Sequence, residues 1–425
     1  MSILWTGVPD MFSLNNLALI MAACSLLAAQ PAAKPEDAGM SADRLKRIHE
    51  SIQRHIDAGE ICGAVTVVAR RGHVVNFEAH GLMDIESKKP MQKDTIFRLA
   101  SMTKPITAVA VLMLVEEGKI RLSDPVSKFI PEFREMKVAM PLERTAGAPA
   151  EPGFNLVPAN REITIHDLLT HTSGLVSGGL GAAQAAKIAP RNPATDTLAN
   201  YVPKLAAVPL DFQPGTQWAY SGGAGPDTLS RIVEIVSGQT YDKFLRTRIF
   251  EPLGMKDTFF YPPTDRRPRL VTLYKKSPNG LVKDPNQDGY SNPNYFSGGG
   301  GLMSTAGDYL QFAQMLLNGG EWNGKRLLSP RTIELMASNH VGDMFNGKAG
   351  RPAHGMGFGL IVQVVEDHVA AGLHVANGSF GWDGAFGTQF WVNPKEKMVT
   401  IIMIQTQVAQ VQRDFENAVM QAIVE

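Results

Sequence analysis

Ser101-Met102-Thr103-Lys104 puts a hydroxyl and an amine three residues apart, just before the apolar stretch Ile106–Val115. If a helix starts near Ala100, residues 101 and 104 are one turn apart and share a face. A serine hydroxyl is a weak nucleophile at its own pKa and needs a base beside it, a part that a desolvated neutral lysine can take. The helix N-terminus adds a positive dipole end and free N–H groups, which favour negative charge on a reacting oxygen. Pro105 suits a first turn, where a missing N–H costs little. The motif alone carries no weight. Residues this common meet at that spacing about once by chance in such a length, and Ser101/Lys104 is the single instance.

Two further segments change that balance. Trp218-Ala219-Tyr220-Ser221-Gly222 follows the Pro214-Gly215 turn and precedes helical spacing at Leu229, Ile232, Val233 and Ile235. A phenol at such a junction can relay a proton if a nearby ammonium lowers its pKa; otherwise it is an aromatic packed under a loop. Gly381-Trp382-Asp383-Gly384-Ala385 runs toward the strand pattern Gln389–Val392. Small residues there let a substrate lie against backbone, where an N–H can donate to an oxyanion; the alternative is a Gly-rich turn closing a hairpin.

Other chemistries find no support. No serine lies in G-x-S-x-G and no HExxH occurs, which disfavours a nucleophile elbow and a zincin helix. With only Cys24 and Cys62 present, neither a disulfide framework nor a Cys-based zinc site is expected. His166 and His171 are five apart, off a common helical face, and read as hydrogen-bonded structural residues of a Thr/Ser-rich loop. No metal and no cofactor is expected. The run Gly298–Gly301 reads as a tight connection between helical and sheet regions, the alternative being a lining of the cleft, and Met303, Phe312, Met315 and Leu316 as core.

The elements that must hold these residues follow from patterning. The chain has 425 residues, 44% hydrophobic and 19% charged, with 41 basic against 41 acidic side chains. That content supports a large core and excludes disorder, and the even charge gives no footprint for nucleic acid. Leu45, Ile48, Ile52 and Ile56 follow helical spacing behind the N-cap Ser41. Gly63–Ala69 and Val74–Ala79 flank a turn as a hairpin, Gln389–Val392 and Met398–Ile404 form a second, and a last helix carries Val411, Phe415, Val419 and Ile423. The expectation is an α/β (α+β) fold. Residues 38–103 and 301–425 make an antiparallel sheet flanked by helices and built from both termini; residues 104–300 are a mainly helical insert, with Pro/Gly-rich loops near 139–160, 173–193 and 276–301; the site lies in the cleft between. Residues 1–37 read as a leader or extension. The apolar run Leu17–Ala29 is too short for a membrane span but suits a signal h-region, which would make the protein periplasmic or secreted; otherwise it is cytoplasmic.

Taken in order, the sequence resembles the serine β-lactamase and penicillin-binding-protein superfamily, particularly class C β-lactamases and family VIII carboxylesterases. The markers are Phe97–Lys104 (FRLASMTK), Ile165–Leu175 (IHDLLTHTSGL), Tyr220-Ser221-Gly222, Ile249–Met255 (IFEPLGM) and Gly299–Asp308 (GGGLMSTAGD). The resemblance implies Ser101 as the acylated nucleophile, Lys104 and Tyr220 sharing base and acid work, and the backbone N–H groups of Ser101 and Ala385 as the oxyanion hole. It implies the β-lactamase/transpeptidase fold with its cleft.

Two departures bear on substrate. Trp382-Asp383-Gly384 stands where the family's lactamases and peptidases carry Lys-Thr-Gly, and Gly222 stands at the Asn of Tyr-x-Asn. Losing that lysine removes a charge-assisted contact to anionic substrates, about 1.5–3 kcal/mol. Trp382 offers apolar surface instead, and Asp383, if it faces the cleft, repels anions. The expected function is a serine carboxylesterase acting on small-molecule, short-chain acyl esters, with weak β-lactam (cephalosporin) hydrolysis as a side activity. The alternatives are a β-lactamase, DD-peptidase or D-aminopeptidase, and a non-catalytic binding module on the same scaffold.

Overall fold

The computed structural model describes residues 34–142, 153–287 and 293–425. The run Leu17–Ala29, with Cys24, lies outside the described residues, as do parts of the loops expected near 139–160 and 276–301. Among the described residues no helix is long and apolar enough to cross a membrane.

Eight strands form one antiparallel sheet, numbered here in chain order: β1 (Gly63–Arg70), β2 (His73–Asp84), β3 (Lys89–Pro90), β4 (Met356–Phe358), β5 (Gln363–Val365), β6 (Phe380–Asp383), β7 (Gln389–Asn393) and β8 (Met398–Met403). Their spatial order is β4-β5-β6-β7-β8-β1-β2-β3. The two ends of the chain meet at the centre, where Val65 lies opposite Met403 and Val67 opposite Ile401. Alternation along β1 sends its side chains to opposite faces. Ala64 and Val68 join Leu45, Ile48 and Ile52 of helix α1 (Ala42–Asp57), together with Val411, Phe415 and Val419 of the C-terminal helix Ala409–Met420. Val65, Val67 and Ala69 join the main core, which includes Phe312 and Met315 of the helix Ala306–Leu317.

Both expected hairpins and both terminal helices are present. Ser41 caps α1 by accepting from Arg44 N. The last helix stops at Met420, so Ile423 lies beyond it in a bridge to Met40. The middle of the chain is less purely helical than its pattern suggests. Lys137–Pro141 pairs with Phe154–Pro158, and Tyr274–Ser277 with Gly280–Lys283; these short ribbons with partly exposed residues lack the alternation that would reveal them. Helix α2 (Thr103–Glu116) is buried from Thr103 to Leu114, as expected of a helix apolar on every side.

Candidate active site

Ser101 stands where a strand runs into a helix. Ile96–Arg98 pairs with Met303–Thr305, a turn of 3-10 helix spans Ala100–Met102, and α2 follows. Ala100 has φ 46°, a left-handed conformation that costs a non-glycine residue about 1–2 kcal/mol. Its neighbours hold it there: Leu99 N donates to Leu302 O at 2.9 Å, and Thr388 Oγ1 donates to Leu99 O at 3.2 Å. The sharp turn leaves Ser101 half-exposed at the start of α2.

Lys104, Tyr220 and Ser101 converge. Lys104 Nζ donates to Ser101 Oγ at 3.0 Å, and Tyr220 Oη donates to the same oxygen at 2.7 Å. Lys104 is fully buried, with its Nζ 4.9 Å from the Tyr220 ring centroid. Among the described residues no carboxylate pairs with it. Its second acceptor is Gly299 O, inside the glycine run read from sequence as a connection. That run is stitched to α2, since Thr107 Oγ1 donates to Gly298 O at 2.9 Å and Leu302 N donates to Thr103 Oγ1 at 3.1 Å. A Cβ at Gly298 would collide with Ser230 Oγ, and one at Gly299 would come within 2.7 Å of Gly222 O.

Asp227, which sequence reasoning missed, fixes the other side of this loop. It lies buried in helix Ala224–Ser237 and accepts from Tyr295 Oη at 2.6 Å, Ser297 Oγ at 2.7 Å and Gly299 N at 3.1 Å. Burial pushes its carboxyl above the ordinary aspartate range, against the pull of those donors. An acidic residue in the first turn of a helix, an ordinary feature, is the only signal it leaves in the sequence.

His171 organises Tyr220. Its carbonyl accepts from Ala219 N at 3.1 Å and its Nδ1 from Ser221 N at 3.3 Å, bracketing the tyrosine on both sides. The two rings sit 4.8 Å apart. Burial, helped by the Lys104 charge, pushes its pKa down to about 3 from 6.5. The unfolded chain therefore binds a proton that the folded chain refuses as pH falls from about 6.5 toward 3. Stability is complete above that window and drops within it, with a slope approaching about 1.4 kcal/mol per pH unit. His80 and His166 are also shifted down and add to the wild-type slope. His171→Asn is expected to flatten the acid limb by about one proton in urea titrations between pH 4 and 6.5, Asn being tolerant of the backbone φ of 56°; equal slopes would remove this account. His166 sits on a short helix, Ile165–Leu169, rather than in a loop, with Nε2 3.2 Å from His340 Nδ1.

The glycine-rich segment after residue 380 forms the far wall. Strand β6 is interior rather than an edge, but its pairing with β5 ends at Gly381, so Trp382 and Asp383 outrun that neighbour. Gly384 packs on the turn that leads into Ser101, where a Cβ would strike Leu99 O and Thr388 Oγ1. Ala385 follows, exposed. Among the described residues neither the Ser101 N–H nor the Ala385 N–H donates to a protein acceptor, leaving both for a ligand oxygen.

Two side chains here differ from expectation. Trp382 is only 3% exposed; it packs 5.7 Å from the Tyr220 ring and 5.4 Å from Phe358, bracing the tyrosine more than presenting open surface. Asp383 is paired with Arg351, whose guanidinium lies 5.3 Å over Trp382, so its charge is neutralised and does not repel anions as a free carboxylate would. Gly222 is exposed, with only Tyr220 Cε1 near the position of a Cβ, at 3.9 Å.

A family model described as Beta-lactamase matches residues 48–425. Protein Rv1367c of Mycobacterium tuberculosis is 36% identical over 371 residues, 84% of this chain and 88% of that one. Esterase EstB of Burkholderia gladioli is 31% identical over 408 residues, 91% and 95% of the two chains. Among solved structures, that of EstCE1, "a hydrolase with promiscuous acyltransferase activity", superposes with a TM-score of 0.75 at 27% identity, covering 89% of this chain and 99% of the other.

Proposed function

Since the chain belongs to the β-lactamase family, and is a serine hydrolase homologous to esterases and acyltransferases of that superfamily, we propose that it is a carboxylesterase cleaving short-chain acyl esters through an acyl-enzyme on Ser101. In this reading Ser101 Oγ attacks the ester carbonyl as its one proton passes to the unprotonated member of the pair, a neutral Lys104 amine or a Tyr220 phenolate. The N–H groups of Ser101 and Ala385 receive the developing oxyanion, each such donor being worth about 10²–10³ in rate. The proton passes to the departing alkoxide, which leaves as the alcohol, and water, deprotonated by the same groups, attacks the acyl-enzyme to release the acid. An alcohol in place of that water would give acyl transfer, the second activity in the name EstCE1 carries.

One observation favours esters over lactams and peptides. The strand end facing the nucleophile presents Trp382-Asp383-Gly384 with no lysine, and the nearby cation Arg351 is spent on Asp383. A carboxylate-bearing substrate therefore forgoes a contact of about 1.5–3 kcal/mol, or about 10–100-fold in kcat/KM. A neutral ester forgoes nothing.

The test compares p-nitrophenyl butyrate with a cephalosporin on the same enzyme. The ester is expected to show the higher kcat/KM by about tenfold or more. A preference for the lactam would overturn the esterase reading in favour of a β-lactamase or DD-peptidase, and failure of any ester, lactam or D-amino-acyl peptide to acylate a folded protein would point to a binding module.

A further inference from the structure

On the α1 side of the sheet, away from the cleft, three metal-ligating side chains meet. Glu78 and His80 are two residues apart on β2 and so share a face, and His49 projects toward them from α1. Their ligand atoms lie within 4.8 Å of one another. His49 Nδ1 is 3.3 Å from His80 Nδ1 and 3.8 Å from Glu78 Oε2. We propose that His49, Glu78 and His80 form a Zn²⁺ site.

The hydrogen bonds behind His80 carry the argument. Thr66 Oγ1 donates its proton to Asn76 Oδ1 at 2.9 Å, so toward His80 Nε2, 3.1 Å away, it accepts. His80 therefore holds its proton on Nε2 and leaves a bare lone pair on Nδ1, which faces His49. A buried acceptor behind an imidazole is the arrangement that fixes the tautomer and orientation of a ligating histidine. The side chain of His80 is fully buried while that of His49 is 59% exposed, giving one rigid ligand and one free to swing.

The spacing suits the ion. Ligands about 2.0–2.1 Å from tetrahedral zinc stand about 3.3–3.4 Å apart, the observed separation of the two Nδ1 atoms; the carboxylate oxygen, 3.8 Å from His49 Nδ1 and 3.9 Å from His80 Nε2, must turn toward the Nδ1 side to join them. Two imidazoles and one carboxylate favour zinc over the oxygen-seeking Mg²⁺ and Ca²⁺. The site opens onto a depression of about 870 Å³ that also touches Lys46, Glu50, Lys93 and Asp94, so water can fill the fourth position. Neither lysine is committed to Glu78, for Lys46 pairs with Asp43 and Lys93 lies over Phe77. Sequence spacing gives no hint of this trio, because its members come from a helix and a strand with β1 between them.

The test is calorimetry and native mass spectrometry of the full chain, stripped with chelator and titrated with zinc chloride. One ion per chain is expected, undisturbed by excess Ca²⁺ or Mg²⁺. His49→Ala and Glu78→Gln, both at accessible side chains, are expected to weaken binding by about tenfold or more while melting as wild type does without metal. Absence of stoichiometric uptake would overturn the proposal. So would uptake unchanged in both variants, or lost only on His340→Ala, which would move the ion to the His166–His340 pair.

Discussion

Ser101→Ala is expected to lower kcat/KM for p-nitrophenyl butyrate by at least about 10⁴-fold and to abolish the acylation burst. No neighbouring group can replace the lost oxygen. Among the hydroxyls near Lys104, only Ser101 Oγ receives both Lys104 Nζ and Tyr220 Oη. Thr103 and Thr107 are buried and engaged with Leu302 N and Gly298 O, and Ser221 Oγ donates to Leu175 O at 2.6 Å. The fold should barely register the change. Lys104 keeps Gly299 O, the lost hydroxyl is half-exposed, and a hydrogen bond of this kind is worth about 1 kcal/mol net. The check pairs stopped-flow kinetics with mass spectrometry of organophosphonate-treated wild type. An adduct on any residue but Ser101, or a burst surviving in the variant, would refute the assignment.

The parts of this fold legible in the sequence are those where one physical signal dominates. The β1–β2 and β7–β8 hairpins combine apolar runs with short turns, and α1 declares itself by Ser41 and a four-residue apolar spacing. The surroundings of Trp382 and Asp383 are not legible for a different reason. Which way a side chain turns depends on partners far along the chain: Arg351 for the aspartate, Tyr220 and Phe358 for the indole. Patterning cannot supply such partners. Asp227 leaves no sign of its part in the site for the same reason, and the glycine run shows in the sequence without the part that Gly299 plays, since one acts through a buried carboxylate on the loop and the other through a carbonyl oxygen, a group every residue possesses. Motif reasoning finds side chains that do chemistry; it misses the backbone that holds them.

That holding role makes Lys104→Met the sharpest probe of the site. Methionine approximates the length and volume of the lysine stem, so α2 can pack as before, while the amine beside Ser101 Oγ is gone. Activity should fall by about 10²–10⁴-fold, the range for loss of a general base, with the loss in kcat rather than KM because in the proposed mechanism the amine moves a proton and does not hold the ester. Stability should move the other way or not at all. Lys104 is fully buried without a carboxylate partner among the described residues, and replacing a desolvated polar group by an apolar side chain of similar shape is commonly neutral or stabilising. Only Gly299 O is left without its donor, a loss of about 1–3 kcal/mol that removal of the buried amine offsets. An enzyme melting at or above the wild-type temperature while nearly inactive would mark Lys104 as a residue kept for chemistry at the expense of stability. If Lys104→Met instead unfolds the protein, while Tyr220→Phe alone abolishes acylation in a stable fold, the amine is a structural strut for the glycine loop and the phenol is the base.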